Sequence, residues 1–216
     1  MSTGHVTGGY QVEGELAGMD RRAVLVVATL SSFLTPLMSA AVNLALPSMA
    51  VEFRMDAVLL SWVATAYLMA AAMFLLPFGR LADIIGRKRV FLWGMIVITL
   101  VTVALGFSVS GWMVIVLRFV QGIGAAMVFG TGIALLTAVY PKEQRGVVLG
   151  SNVAAVYLGL TLGPFIGGAL TDILDWRWVF WIMAPMTLGV VVLVLLRIKG
   201  DLAGSEGERF DIYGAI

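Results

Sequence analysis

Between residues 23 and 196 the polar and apolar positions separate into blocks instead of alternating. Six apolar stretches, 23–46, 59–78, 90–109, 112–139, 147–170 and 178–196, are divided by short segments that hold nearly all of the charge. An α-helix rises about 1.5 Å per residue, so about 20 apolar residues cross a hydrocarbon layer about 30 Å thick. Every stretch meets that length to within a residue or two. None contains Asp, Glu or Lys, and only the fourth contains Arg, at Arg118. Helices buried in a large water-soluble domain still carry a polar stripe at the helical repeat, and these stretches largely lack one. The pattern therefore predicts an all-α, polytopic membrane bundle of six helices over 23–196. The first apolar run, of 24 residues, exceeds the about 7–15 of a signal-peptide core, and five more spans follow it. It is read as an uncleaved helix.

Composition strengthens the same reading. The 216 residues are 60% hydrophobic and 12% charged, against roughly half and a quarter in an ordinary soluble domain. So few charges would cover a water-facing surface thinly; lipid accounts for the rest. A net charge of +1 offers no electrostatic case for nucleic acid or an acidic partner. The chain has no Cys, which excludes disulfides and thiolate chemistry. The spans hold no His, Asp, Glu or Cys, so neither a metal site nor a nucleophile with its base can be assembled in them. No phosphate-cradling loop is present, which argues against an ATP-driven pump. The expectation is a non-enzyme with no metal and no cofactor.

Lys and Arg in short loops resist translocation and so fix topology. With the amino terminus in the cytoplasm, Arg21, Arg22, Arg80, Arg87, Lys88, Arg89, Lys142, Arg145, Arg197, Lys199 and Arg209 fall inside, and only Arg54 and Arg177 fall outside. Trp62, Trp112, Trp176 and Trp178 then lie at outer span ends and Trp93 at an inner one, as an interfacial aromatic belt requires. Both ends of the segment are expected in the cytoplasm, with the protein in the plasma membrane. Residues 1–22, which hold the lone His5, read as a disordered tail, and 197–216 as a linker followed by the start of a further span that breaks off.

Between spans two and three the chain reads Gly79-Arg-Leu-Ala-Asp83-Ile-Ile-Gly86-Arg87-Lys88-Arg89. Gly79 is expected to allow close approach of helix ends, Gly86 to make the tight reversal, and Asp83 to accept a charge-assisted hydrogen bond from the basic residues around it. A plain positive-inside loop explains the basic residues but not this spacing. Span four carries Arg118-Phe-Val-Gln121-Gly122-Ile-Gly124-Ala-Ala126, and span five Gly159-Leu-Thr-Leu-Gly163-Pro164-Phe-Ile-Gly167-Gly168. Val42-Asn43-Leu-Ala-Leu-Pro47 closes the first span and Trp176-Arg177-Trp178-Val-Phe180-Trp181 opens the sixth. In this order the elements resemble those of the major facilitator superfamily, in particular the first half of its fourteen-helix drug:proton antiporter branch.

The resemblance implies that spans one to three and four to six form an inverted repeat, one half of the fold. It also implies that the Gly79, Asp83, Gly86, Arg87 and Arg89 loop takes part in conformational switching. Arg118, with Gln121 and Asn43, would line a coupling or substrate cavity, and the glycine motif of span five points to export. Implied partners are a small-molecule substrate, protons or another coupling ion, membrane lipid, and a C-terminal half of the same protein. One departure bears on coupling. The branch usually places an acid and a Thr where this chain has Met38 and Ala40, so proton coupling through the first helix does not carry over.

Two readings of Arg118 stand side by side. An arginine within a span is functional by default because isolation in hydrocarbon costs several kcal/mol. It could equally reach outward to the interface or brace helix carbonyls. Gly159, Gly163 and Gly167 share one helix face, where a neighbour can pack closely, and Pro164 removes a backbone hydrogen bond and bends the helix. Gly122-x-Gly124 is no dinucleotide fingerprint, since Met127 takes the third glycine position and no strand precedes it. Asn152, Tyr67 and Tyr157 are isolated polar residues better suited to helix contacts than to a pocket.

The leading expectation is a secondary active transporter, an exporter of hydrophobic or amphipathic small molecules working by alternating access (multidrug efflux). Apolar spans suit such compounds better than a sugar. A transporter of an organic-acid metabolite, with Arg118 pairing its carboxylate, is the alternative within transport. A non-transporting six-helix scaffold or sensor is the alternative outside it.

Overall fold

The computed structural model describes residues 20–198. The expected tail up to residue 19, His5 included, and the expected linker and further span from 199 onward lie outside the described residues. Six helices follow in order: α1 Arg21–Phe53, α2 Ala57–Ile85, α3 Arg87–Gly106, α4 Gly111–Val139, α5 Lys142–Ile173 and α6 Arg177–Arg197. Each is long and apolar enough to cross a membrane. Their bounds exceed the apolar stretches at most ends because polar residues cap them. Asp20 accepts from the amides of Arg22 and Ala23 at 3.0 and 3.3 Å, and Asp56 from that of Leu59 at 2.7 Å. Ser110 accepts from Met113 at 3.2 Å. Such side chains satisfy amides that the first helical turn leaves without partners.

Two boundaries differ from expectation. The third span stops at Gly106 instead of 109, and Phe107–Ser110 form the link. The segment read as a loop from Gly79 is mostly helix: α2 continues to Ile85, and Gly86 alone separates it from α3. Gly86 turns the chain with φ 110° and ψ 131°, a left-handed region that a Cβ disfavours. Gly79 is otherwise. A Cβ built there meets nothing within 4 Å, so within this bundle no neighbour demands glycine at that position.

The packing repeats itself. α1 lies along α5, and α4 lies along α2; α3 packs on α4, and α6 on α1. Exchanging α1 with α4, α2 with α5 and α3 with α6 maps each of these pairs onto another, which is the arrangement of two three-helix repeats. α1, α3 and α4 form the interior, with Leu37, Met38, Phe91, Met95, Ile98 and Leu135 fully enclosed. α2 and α5 are the least enclosed helices. Their outer faces show Leu76 at 82% and Phe165 at 73% exposure. Large apolar side chains this open belong against hydrocarbon or another apolar surface, and the chain is an integral membrane protein.

The closest seam joins α1 to α5. A Cβ at Gly159 would strike the Phe33 carbonyl; one at Gly163 would lie 2.5 Å from Ala40 Cβ and 2.7 Å from the Leu37 oxygen. At Gly167 it would lie 2.5 Å from the Ala41 oxygen. Without side chains on this face the two backbones meet directly, and dispersion between them replaces the hydrophobic drive that lipid removes. α5 runs unbroken from Lys142 to Ile173 through Pro164. Gly122 of α4 makes the corresponding approach to α2, against the Tyr67 carbonyl and Ala70. A rigid seam is what the glycines provide. Accordingly, Gly163→Val is expected to lower stability by about 2–3 kcal/mol through overpacking. Gly168→Ala, where an added Cβ meets nothing, is expected to be neutral or slightly stabilising. Thermal unfolding of the two purified variants in detergent checks the contrast.

Candidate functional site

Arg118 sits on α4 where α1, α2 and α4 converge, and only 1% of it is exposed. Its Nε donates to the Val63 carbonyl at 3.3 Å and one terminal nitrogen to Gln121 Oε1 at 2.6 Å. The other terminal nitrogen lies 3.5 Å from Ser39 Oγ, and the guanidinium carbon is 4.2 Å from the centre of the Tyr67 ring. The spacing of Arg118 and Gln121, three residues apart, puts both on one face of α4. Val63 and Tyr67, four apart on α2, present a carbonyl and a ring face to the same place. A desolvated cation over an aromatic face gains about 2 kcal/mol, and a hydrogen bond to a charged donor about 1.5–3 kcal/mol. These contacts offset the cost of holding the charge away from water. The snorkelling alternative is absent from this geometry: the side chain turns inward.

Gln121 extends the network. Its Nε2 donates to Thr102 Oγ1 at 3.0 Å and approaches Met38 Sδ at 3.5 Å. Thr102, fully buried on α3, donates to the Ile98 carbonyl at 2.6 Å with the Met38 sulfur 3.4 Å away. Met38, at the position where the resemblance led to an acid, is therefore not facing lipid. It closes a ring of polar groups with a weak acceptor. Among the described residues Arg118 has no carboxylate partner, because every acid lies toward a helix end.

The two ends of the bundle carry matching braces. At one end, Arg87, the first residue of α3, bonds Asp83 Oδ1 through Nε at 3.2 Å and a terminal nitrogen at 3.0 Å. It also donates to the Ala134 carbonyl near the end of α4 at 3.2 Å. At the other, Arg177, the first residue of α6, grips both oxygens of Glu52 near the end of α1, at 2.9 and 2.6 Å. It also donates to the Ser108 carbonyl just past α3 at 3.0 Å. Trp176 Nε1 donates to the same carboxylate at 2.7 Å, and its ring packs edge-on against Phe53 at 5.8 Å. In each case an arginine opening the third helix of a repeat holds the first helix of the other repeat within its last two turns.

Arg118 and Gln121 are thus brought together, but Asn43 is not with them; it is exposed on α1, one turn from Ser39. Of the basic residues around Asp83, it is Arg87 that bonds it, while Arg89 is exposed, its side chain reaching the Ile85 carbonyl at 3.5 Å. Trp176, expected in the interfacial belt, is 2% exposed and belongs to the core. Its neighbour Arg177 and the distant Glu52 hold it there. The sequence reading missed Thr102, Ser39, Glu52 and Arg177 as functional candidates. The bidentate fit of a loop Arg to a loop Glu was a usable signal only once the two loops were known to adjoin.

The six helices thus pack as two three-helix repeats, with Arg118 buried where α1, α2 and α4 meet and short charged turns at the ends. The family model for the Major Facilitator Superfamily matches residues 28–211, and the chain belongs to that superfamily. It is 33% identical over 193 residues to the Multidrug resistance protein Stp of Mycobacterium tuberculosis, a match spanning 89% of this chain and 36% of Stp. The Riboflavin transporter RibZ of Clostridioides difficile is 27% identical over 193 residues, 89% of this chain and 42% of RibZ. The chain spans less than half the length of these curated relatives. Among solved structures, a bacterial homologue of the human lysosomal transporter Spinster, inward-facing and unoccupied, superposes with a TM-score of 0.73. At 20% identity, over 89% of this chain and 46% of that one, it shows a shared fold.

The Glu52 brace has a measurable consequence. Glu52→Ala leaves the buried Trp176 N–H and two Arg177 donors without their acceptor and should cost about 1–3 kcal/mol. Glu52→Gln keeps one acceptor oxygen and should cost less. Thermal unfolding midpoints in detergent, read beside the wild type, rank the three.

Proposed function

We propose that the full-length protein is a secondary active transporter that exports hydrophobic or amphipathic small molecules by alternating access. The observation that carries this reading is the contrast within the bundle. One cation, Arg118, is held at the meeting of three helices, while the surroundings are apolar apart from Gln121, Ser39, a few hydroxyls and, one turn further along α1, Asn43. A sugar or another many-hydroxyl solute would leave most of its polar groups unpaired against such walls. An amphipathic compound would not. The printed name of Stp, a multidrug resistance protein, agrees with this choice, and that of RibZ keeps a larger heterocyclic substrate in view.

In this reading the Asp83 end faces the cytoplasm of a plasma-membrane protein, because it gathers Arg80, Arg87, Lys88, Arg89, Lys142 and Arg145. Substrate binds near the bilayer midplane, between this half and a C-terminal half. The two repeats move as one body, made stiff by the α1–α5 seam and by the two end braces. The Asp83–Arg87 pair, half-buried at the turn, is the switching element of the cytoplasmic side. Coupling does not use an acid at the first-helix position that Met38 occupies; a coupling ion, if protons, would be carried elsewhere in the protein.

Two measurements test this. A drug-sensitive host expressing the complete gene should tolerate at least one amphipathic toxic compound better than the same host with an empty vector. Unchanged susceptibility across a broad panel of amphipathic compounds would sink the export reading. In the same host, Asp83→Asn should reduce the gained tolerance by roughly fivefold or more at equal protein in the membrane, the scale of a typical conformational coupling.

A further inference from the structure

Among the described residues no opposite charge lies near Arg118, and the pattern of its contacts suggests what supplies one. We propose that the substrate site beside Arg118 selects amphiphiles carrying a negative charge over those carrying a positive one. The inference rests on the transport reading above and names the sign of charge its substrate bears.

Every group around the guanidinium is neutral. The Val63 carbonyl, Gln121 Oε1, Ser39 Oγ and the face of Tyr67 satisfy its geometry without cancelling its charge. The groups one step further out are neutral as well: Thr102 and Met38, whose sulfur takes the approach of Gln121 Nε2 and Thr102 Oγ1 at 3.5 and 3.4 Å. None of the six apolar stretches contains Asp or Glu. A full positive charge is thereby fixed in a low-dielectric interior, where its field is screened far less than in water.

The charge is enclosed, and the way from it toward the surface runs along α1 through Ser39 to Asn43. α1 and α2 touch each other only sparsely, while α4 lies beneath both. One terminal nitrogen of Arg118 points to Ser39, which is half-buried, and the next turn of α1 exposes Asn43. A ligand lodged over Ser39 and Asn43 would meet a hydroxyl and an amide able to donate, with a cation behind them. Among the described residues no carboxylate that would hold a cationic drug lies at this spot. An anion gains from the field and a cation loses by it, so charge discriminates where the apolar walls do not.

Two xanthene dyes of matched skeleton, anionic fluorescein and cationic rhodamine 123, make the test. The full-length protein in liposomes preloaded with each unlabelled dye is assayed for exchange of external labelled dye, which requires no knowledge of the coupling ion. The wild type should exchange fluorescein with a half-saturating concentration at least tenfold below that for rhodamine 123. Gln121→Glu sets a carboxylate where Oε1 lies 2.6 Å from the arginine, and Met38→Asp sets one where the sulfur lies; either should remove or reverse that preference. Two variants guard against one failing to fold, and a merely structural role for the network would slow both dyes alike. Equal or better exchange of rhodamine 123 by the wild type overturns the proposal. So does a fluorescein preference that survives both substitutions, or an absence of fluorescein exchange. None of these three results bears on export as such, which the susceptibility measurement decides separately.

Discussion

Hydrocarbon offers no hydrogen bonds, and every feature of this chain follows from that. A backbone crossing it must pair its own amides and carbonyls, so each crossing is a helix. The same medium expels charge, which is why acids and lysines gather at the helix ends and only Arg118 lies between them. It also removes the usual reason for helices to associate, since lipid is as apolar as a leucine side chain. What remains is contact. Gly159, Gly163 and Gly167 bring α5 against the backbone of α1, and Gly122 brings α4 against α2.

Two three-helix repeats joined in this way need something to fix their relative position, and the end braces serve. Arg87 ties α2 and α3 to the end of α4; Arg177 ties the start of α6 to the ends of α1 and α3. Each joins one repeat to the other, on opposite ends of the bundle. A body held at both ends and along its middle resists relative movement of its two repeats, and the alternating access proposed above would rock it as one unit.

The central network turns on a substitution of chemical type more than of shape. A thioether at Met38 accepts hydrogen bonds weakly and never titrates, so the ring formed with Gln121 and Thr102 is polar without being acidic. Arg118 is in consequence a fixed charge whose partners only orient it. Whatever charge balances it must come from outside the six helices described.

The sequence by itself determined the six crossings, the charged turns and an Asp83 set among basic neighbours able to bond it. All of these are properties of one helix or of residues four apart, and local spacing encodes them. It also marked Arg118 and Gln121, three apart on one face, and the superfamily through motifs that are contiguous in the chain. Tertiary structure decided the rest. Glu52 and Arg177 are separated by 125 residues, and no local pattern pairs them. Trp176 looked interfacial because its position along the helix axis was right, but that position does not say whether a side chain faces lipid or the core. Gly79 looked like a contact because glycine permits one; Gly130 of α4 does lie near its backbone, but the space a Cβ at Gly79 would fill is empty. Met38 read as the loss of an acid, whereas its role as acceptor depends on α1, α3 and α4 meeting at one depth. Residues distant in the chain acquire partners only when helices choose neighbours, and that choice is made by packing over whole faces.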